Sequence, residues 1–366
     1  MFQIIPSVLT STPPKQWLDL KEPILKTYAN AHFPRLRAGG VARAFAPGKC
    51  ILFGEHAVVY GQPAVAVSIE AGVEVSISES NRWSLEGMPF EPLKHPHISY
   101  ILNDIFQYSG PPLEIDIKSG LYSAAGLGSS AALSNAMGAA LHELVDPGSA
   151  LDLISLARMG HSAEANAQKG RASPTDTATS ALGGCVVVSG SSPAGTKHIF
   201  DATLETPEGS RNWSVNKVEI PDIEDVWLVL GFTGRGSPTG DMVAGVSELL
   251  KSDPPKMKEI EAIGEITYSG LRALSSGNME EVGQAMNECQ ERLRKIGVSS
   301  PELENLISAT ESHSLGAKLT GAGGGGCMVS LTRNPRRVAE CIEIAGGKPL
   351  VSKFGSGGAR IVGEEN

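Results

Sequence analysis

The segment SAAGLGSSAALSNA, residues 123–136, constrains the chain more than any other. Two glycines and a Ser-Ser pair run directly into an alanine-rich stretch with the composition of a helix. One cap residue is enough to start a helix. The remaining small residues let something outside the chain approach the backbone closely. The first turn of a helix exposes unpaired N–H groups and the positive end of the dipole. That arrangement fits an anion, above all a phosphate. A bare glycine turn closed by a serine cap fits the same residues, and both readings stand on this stretch alone.

The rest of the chain narrows the context. Its 366 residues exceed a typical domain of roughly 100–200, so two domains are expected. A net charge of -9 argues against a broad nucleic-acid or acidic-membrane surface. The five cysteines, Cys50, Cys185, Cys289, Cys327 and Cys341, are odd in number, widely spaced and without a C-x-x-C pair. They argue against a disulfide framework or a zinc site and for a reducing compartment. No apolar run approaches the ~18 residues of a membrane span. The start MFQIIPSVL lacks the basic region and cleavage site of a signal peptide. A cytoplasmic protein with no membrane and no nucleic-acid partner is expected.

Residues 1–40 hold five prolines and few periodic apolar positions, and they read as an extension outside the main fold. Organised sequence begins near Val41. Alternation in VEVSIS and LEIDIKS predicts strands, whereas SSAALSNAMGAALHELV and GSALDLISLARMGHSAEANAQ have helical spacing. The second half repeats the mixture, with VWLVLGFTG as a strand and NMEEVGQAMNECQERLRKIG as a helix. Strands and helices interleave without a strict βαβ repeat, which predicts an α+β fold. The loop-like SGSSPAGTKH and LETPEGSRN divide the chain, giving expected domains at 41–190 and 191–366.

Three further segments carry polar residues on turns. In FAPGKCILFGEHAVVYG, Lys49 follows a Pro-Gly turn before an apolar strand, and Glu55 and His56 follow another glycine. Each alone reads as structural, the lysine as a surface residue extending out of the sheet. In RASPTDTATSALGG, Asp176 lies between two threonines, as a helix cap or a functional carboxylate. Glu164 lies twelve residues earlier on the preceding helix. GAGGGG, residues 321–326, matches G-x-G-x-x-G, yet it runs into the strand CMVSL rather than opening a helix. A dinucleotide fold needs the helix. No Walker P-loop is present. His95 and His97 flank Pro96 with no third ligand in view, which argues against a metal there.

Together these pieces form a set. FAPGKCILFGEHAVVYG, GLGSSAA and KLTGAGGGGCMVSL resemble the three signature motifs of the GHMP small-molecule kinases, in order and at similar separations. GEHAVVYG, KHPH, SPTDT and KLTGAGGGGCM are most similar to the mevalonate kinase branch of that family, in its shorter archaeal form. The resemblance covers about residues 41–363. It implies a ribosomal-protein-like N-terminal domain and a ferredoxin-like C-terminal domain, with ATP and substrate between them. It implies transfer of the γ-phosphoryl of ATP to mevalonate, giving 5-phosphomevalonate for isoprenoid synthesis. Mg²⁺ is the implied cofactor, and the family allows a homodimer.

Roles carry over by position. Asp176 matches the catalytic aspartate, and Lys49 the lysine that steadies it and the transferring phosphoryl. Ser123, Ala124, Ala125, Gly126, Leu127, Gly128, Ser129 and Ser130 match the ATP-phosphate loop. Ser130 and Glu164 match magnesium ligands. Glu55, His56, Thr239 and Gly323 match positions around the substrate. Four features depart from the pattern. Tyr122 stands where proline is usual, the Glu164–Asp176 interval is one residue longer, Gly240 replaces a common lysine, and the N-terminal extension has no counterpart. The alternatives are another GHMP kinase, acting on phosphomevalonate or in the manner of a galactokinase, and a non-catalytic ATP-binding sensor of the same fold.

Overall fold

A computed structural model describes residues 40–170, 172–206, 209–221, 223, 225–237 and 239–363. The proposed extension therefore lies outside the described residues, apart from Gly40. Among the described residues the strands form two sheets.

The first sheet is built around two long antiparallel strands, β1 (Val41–Phe53) and β2 (Ala64–Glu79). Alternate residues such as Ala42, Ala44 and Ala46 face the core, as a strand with one covered face requires. The short hairpin β3 (Ser84–Leu85) and β4 (Met88–Pro89) extends one side, through β5 (Leu113–Ser119). Helix α1 (Pro96–Tyr100), continued by a π-helical turn at Ile101–Ile105, precedes β5. Three helices follow: α2 (Ser129–Val145), α3 (Leu153–Ala167) and α4 (Thr175–Leu182). The alanine run of α2 buries Ala132, Ala136, Ala139 and Ala140. Such small side chains let it lie close to β1, β2 and α3. A Cβ added at Gly138 would come within 2.5 Å of Met159 Sδ.

β6 (Cys185–Ser189), β7 (Thr196–Thr206) and β8 (Gly209–Val218) complete the other side of the same sheet, in the order β2-β6-β8-β7. The expected division at residue 190 thus falls inside this sheet. The chain changes sheets between Val218 and the start of β9 (Trp227–Phe232).

The second half continues with α5 (Thr239–Ser252), α6 (Met257–Ser276), α7 (Met279–Lys295), α8 (Pro301–Thr310), β10 (Gly316–Thr320), β11 (Cys327–Thr332), α9 (Pro335–Ile344) and β12 (Lys348–Lys353). Its four strands are all antiparallel, in the order β10-β11-β9-β12. Counted along the chain, that is a 4-1-3-2 sheet with helices in both crossovers, the ferredoxin-like arrangement expected. β13 (Arg360–Ile361) then returns to pair with β1. Among the described residues no helix is long and apolar enough to cross a membrane.

Side chains cap several helices: Asp152 for α3, Asn278 for α7, Ser300 for α8 and Asn334 for α9. Helices α2 and α4 lack such a cap. Their N-cap residues are Gly128 and Pro174.

Candidate active site

The β1–β2 register shifts between Pro47 and Lys49. Proline cannot donate to the ladder, so a bulge there is expected. The Lys49 N–H donates to the Leu127 carbonyl at 2.9 Å. Its ammonium, almost fully buried, donates to the Gly126 carbonyl at 2.9 Å and stands 3.2 Å from Asp176 Oδ1. The Asp176 side chain remains 40% exposed. It lies in the first turn of α4, whose cap position is Pro174, so the cap reading of Asp176 fails. A Cβ at Gly128 would lie 3.1 Å from the Lys49 stem and 3.6 Å from Asp176 Oδ2. Gly126 and Gly128 both have positive φ, 78° and 70°. The loop thus brings its backbone to the point where lysine and aspartate meet.

The second glycine loop, 321–326, closes over the first. It joins β10 to β11, whose ends pair Thr320 with Cys327. Cys327 N–H donates to the Ala125 carbonyl at 3.1 Å, and Ser237 N–H to the Ala124 carbonyl at 2.9 Å. A Cβ at Gly326 would lie 2.9 Å from the Ala125 oxygen. Gly323 has φ 78°, and a Cβ there would come 2.1 Å from the Val298 carbonyl, so side-chain-free backbone is required. It faces Val298, and its own carbonyl accepts from the Ser237 hydroxyl.

Ser130 is exposed on the first turn of α2, beside the buried Glu164 carboxylate. Burial alone would raise the Glu164 carboxyl. The His97 imidazole beside it, with the nearby Ser130 hydroxyl and the hydrogen bond from the Gln168 amide, outweighs it and holds the group below the usual carboxylate range. His97 Nε2 lies 3.3 Å from Glu164 Oε1. The H-x-H pair therefore supplies a partner to a carboxylate rather than a ligand. Among the described residues no group of three His, Cys, Asp or Glu side chains could hold a metal by itself. A hydroxyl beside an ionised carboxylate does suit Mg²⁺, which takes few protein oxygens and keeps water and phosphate for the remainder.

Glu55 and His56 sit on the turn after β1. The turn needs Gly54, with φ 92°, because a Cβ would come 2.2 Å from the Pro63 carbonyl. Glu55 is buried and ion-paired with the fully buried Lys318 of β10. Burial pushes its carboxyl up while the Lys318 ammonium pulls it down. Its carboxylate thus meets an ammonium from the second sheet. His56 has φ 60°, and its Nε2 lies 2.8 Å from the Ala322 carbonyl. A carbonyl only accepts, so Nε2 carries the proton. Burial keeps this imidazole below its ordinary value. Thr239, the first residue of α5, is exposed. Its helix reaches the glycine loop through Met242, whose Sδ would lie 2.5 Å from a Cβ on Gly324.

Sequence reasoning did not find Lys318 as the partner of Glu55. A lysine inside the apolar strand AKLT was the available signal, since lysine is almost never fully buried unless paired. His97 enters the sequence reading within KHPH and as a rejected metal ligand, not as a partner of Glu164. Ser123, Ser129 and Thr239 make no side-chain hydrogen bond among the described residues.

The GHMP kinases N terminal domain matches residues 97–184, and the GHMP kinases C terminal model matches residues 271–348. Mevalonate kinase of Pyrococcus furiosus is 31% identical, over 87% of this chain and 97% of that protein. That of Archaeoglobus fulgidus is 35% identical, over 80% of this chain and 93% of its own. The crystal structure of L. major mevalonate kinase in complex with R-mevalonate shares the fold, with a TM-score of 0.66 and 23% identity. It covers 85% of this chain and 95% of its own. Identity at this level across both sheets, together with the family matches on either side of the cleft, shows that the chain belongs to the GHMP kinases, in the mevalonate kinase family.

Proposed function

We propose that this chain is the kinase that transfers the γ-phosphoryl of ATP to the primary hydroxyl of mevalonate. The observation that carries the mechanism is the Lys49–Asp176 pair, set at 3.2 Å beneath the glycine-serine loop. Phosphoryl transfer depends on in-line positioning and charge stabilisation more than on covalent chemistry. The uncapped first turn of α2 and the N–H groups of residues 123–130 hold the polyphosphate. Asp176, the exposed partner, accepts the proton of the substrate hydroxyl. The oxygen forms a bond to the γ-phosphorus, and the bond from that phosphorus to the β–γ bridging oxygen breaks, releasing ADP. The buried Lys49 ammonium steadies the carboxylate and stands beside the migrating phosphoryl oxygens.

Ser130 and Glu164 would hold Mg²⁺, which when bound neutralises phosphate charge. The substrate lies between the His56 turn, the 321–326 loop and the first turn of α5 with Thr239. Glu55 serves by fixing that turn through Lys318. All five cysteines are free, which supports work in the cytoplasm.

ADP release by the purified full chain is measured against mevalonate, phosphomevalonate, homoserine and galactose. Mevalonate is expected to give the highest kcat/KM. A preference for another acceptor moves the chain to a different GHMP specificity, and no turnover on any supports a binding-only role. Replacing Glu164 by Gln should raise the Mg²⁺ concentration needed for half-maximal rate, and an unchanged titration would assign the metal elsewhere.

A further inference from the structure

The start of the phosphate loop is held by a side chain that the mechanism above does not use. Tyr122 lies between β5 and the glycines, and its ring stacks on Phe232 at the end of β9, with centroids 4.9 Å apart and planes 12° from parallel. Its hydroxyl donates to the Pro349 carbonyl on β12 at 3.1 Å. β9 and β12 are neighbouring strands, and Phe232 pairs with Lys348, one residue from Pro349. One side chain from the first half of the molecule therefore grips two strands of the second sheet.

The gripped strand leads straight to the other glycine loop. Thr233, next after Phe232, uses both its N–H and its hydroxyl on the Gly326 carbonyl, each at 3.0 Å. Gly326 is followed by Cys327, whose N–H holds Ala125 of the phosphate loop. Tyr122, Phe232, Thr233, Gly326 and Ala125 form a closed circuit around residues 122–125. Lys49 fixes the later carbonyls, at Gly126 and Leu127. Without Tyr122 the first turn of the loop is tied, among the described residues, only at Ala124 and Ala125. Ala124 itself has φ 52°, a conformation that a non-glycine residue holds only when its surroundings enforce it.

We infer that Tyr122 is a positioning residue for the nucleotide, which pre-orders the phosphate loop by clasping it to β9 and β12. This rests on the kinase reading for the identity of the ligand, but not for the contact itself. An ordered loop loses less entropy when ATP binds, so the clasp acts on ATP affinity more than on mevalonate.

ATP binding to the full-length protein is measured by calorimetry without mevalonate, alongside KM for both substrates and the melting temperature. Tyr122→Ala should weaken ATP binding roughly tenfold, from loss of the stack and the hydrogen bond. The mevalonate KM should stay within about twofold, because the His56 turn is held independently. Tyr122→Phe keeps the stack and should cost about threefold. Tyr122→Pro separates order from packing. Proline restrains its own φ and pushes Leu121 to extended backbone without touching the second sheet. The Tyr122 N–H has no backbone partner among the described residues, so the ring costs no hydrogen bond there. Tyr122→Pro should melt as low as Tyr122→Ala yet bind ATP measurably better. Equal ATP affinities for the proline and alanine variants, or equal losses for ATP and mevalonate, would reduce Tyr122 to domain packing and overturn the inference. Should Tyr122→Ala fail to fold, Tyr122→Phe and Phe232→Leu give the same comparison. A wild-type protein that binds ATP but does not phosphorylate mevalonate would sink the functional reading and leave this one standing.

Discussion

Two lysine–carboxylate pairs flank the cleft, and water reaches only one of them. In the first, Lys49 is 3% exposed and Asp176 40%. In the second, Lys318 is 0% exposed and Glu55 1%. Both pairs join distant parts of the chain, and both lie beside a glycine loop. The open pair leaves a carboxylate free to meet a substrate hydroxyl. The sealed pair has no such freedom, and one of its oxygens, Glu55 Oε2, has no hydrogen-bond partner among the described residues. In the proposed mechanism identical charges serve chemistry in one place and architecture in the other, and solvent access is what separates them. A buried pair contributes little net stability, because desolvation offsets attraction, yet removing one partner strands the other.

The largest expected effect falls on the open pair. Asp176→Asn is nearly isosteric but cannot take the proton. A general base contributes about 10²–10⁴-fold, so kcat for ADP release should fall by that order. Binding of ATP and mevalonate by calorimetry, and the melting temperature, should hardly change, since Asp176 does not cap α4. Near-normal turnover in a folded variant would abolish the contrast between the pairs.

Next in size is the sealed pair. Lys318→Met leaves Glu55 buried alone and should cost about 3–5 kcal/mol in urea denaturation. Combining it with Glu55→Gln removes the stranded charge and should return most of that loss. Lys49→Met should lower kcat while costing less stability than Lys318→Met, because Asp176 can turn to water. If both lysine variants destabilise equally, exposure is not what divides the pairs.

A buried neutral group gives the smallest effect. His161 of α3 donates through Nε2 to the Ala172 carbonyl at 3.1 Å, pinning the segment that leads to Asp176. Burial, only partly opposed by that hydrogen bond, lowers its pKa to about 4. In the unfolded chain the value is about 6.5. As pH falls, the unfolded state takes up the proton first, so stability should decline between about pH 6.5 and 4 and level off below. The decline amounts to at most about 3 kcal/mol. His161→Gln should flatten this limb in pH-dependent urea titrations, and an unaltered limb would exclude His161 as its source.

Much of the architecture is legible in residue order. The alternation of VEVSIS and LEIDIKS became strands, and the alanine run after Gly128 became α2, because periodicity and composition act locally. The phosphate-loop glycines were equally plain, since positive φ and close approach favour residues without Cβ. The limit of the first sheet was not. The loop-like SGSSPAGTKH ends one strand and begins a hairpin of the same sheet, and no local signal says to which sheet the next strand adds. Glu55 was matched, through the family resemblance, to a position around the substrate, and nothing in the local sequence names its ion-pair partner. Its partner is 263 positions away.

Local sequence therefore determined the elements, the two glycine loops and the three motifs that mark a GHMP kinase. Each depends on neighbours within a few residues. Only the tertiary structure decided which lysine meets which carboxylate, and which of those carboxylates meets water. Desolvation is set by every group packed around a charge, and in this protein those groups arrive from both sheets.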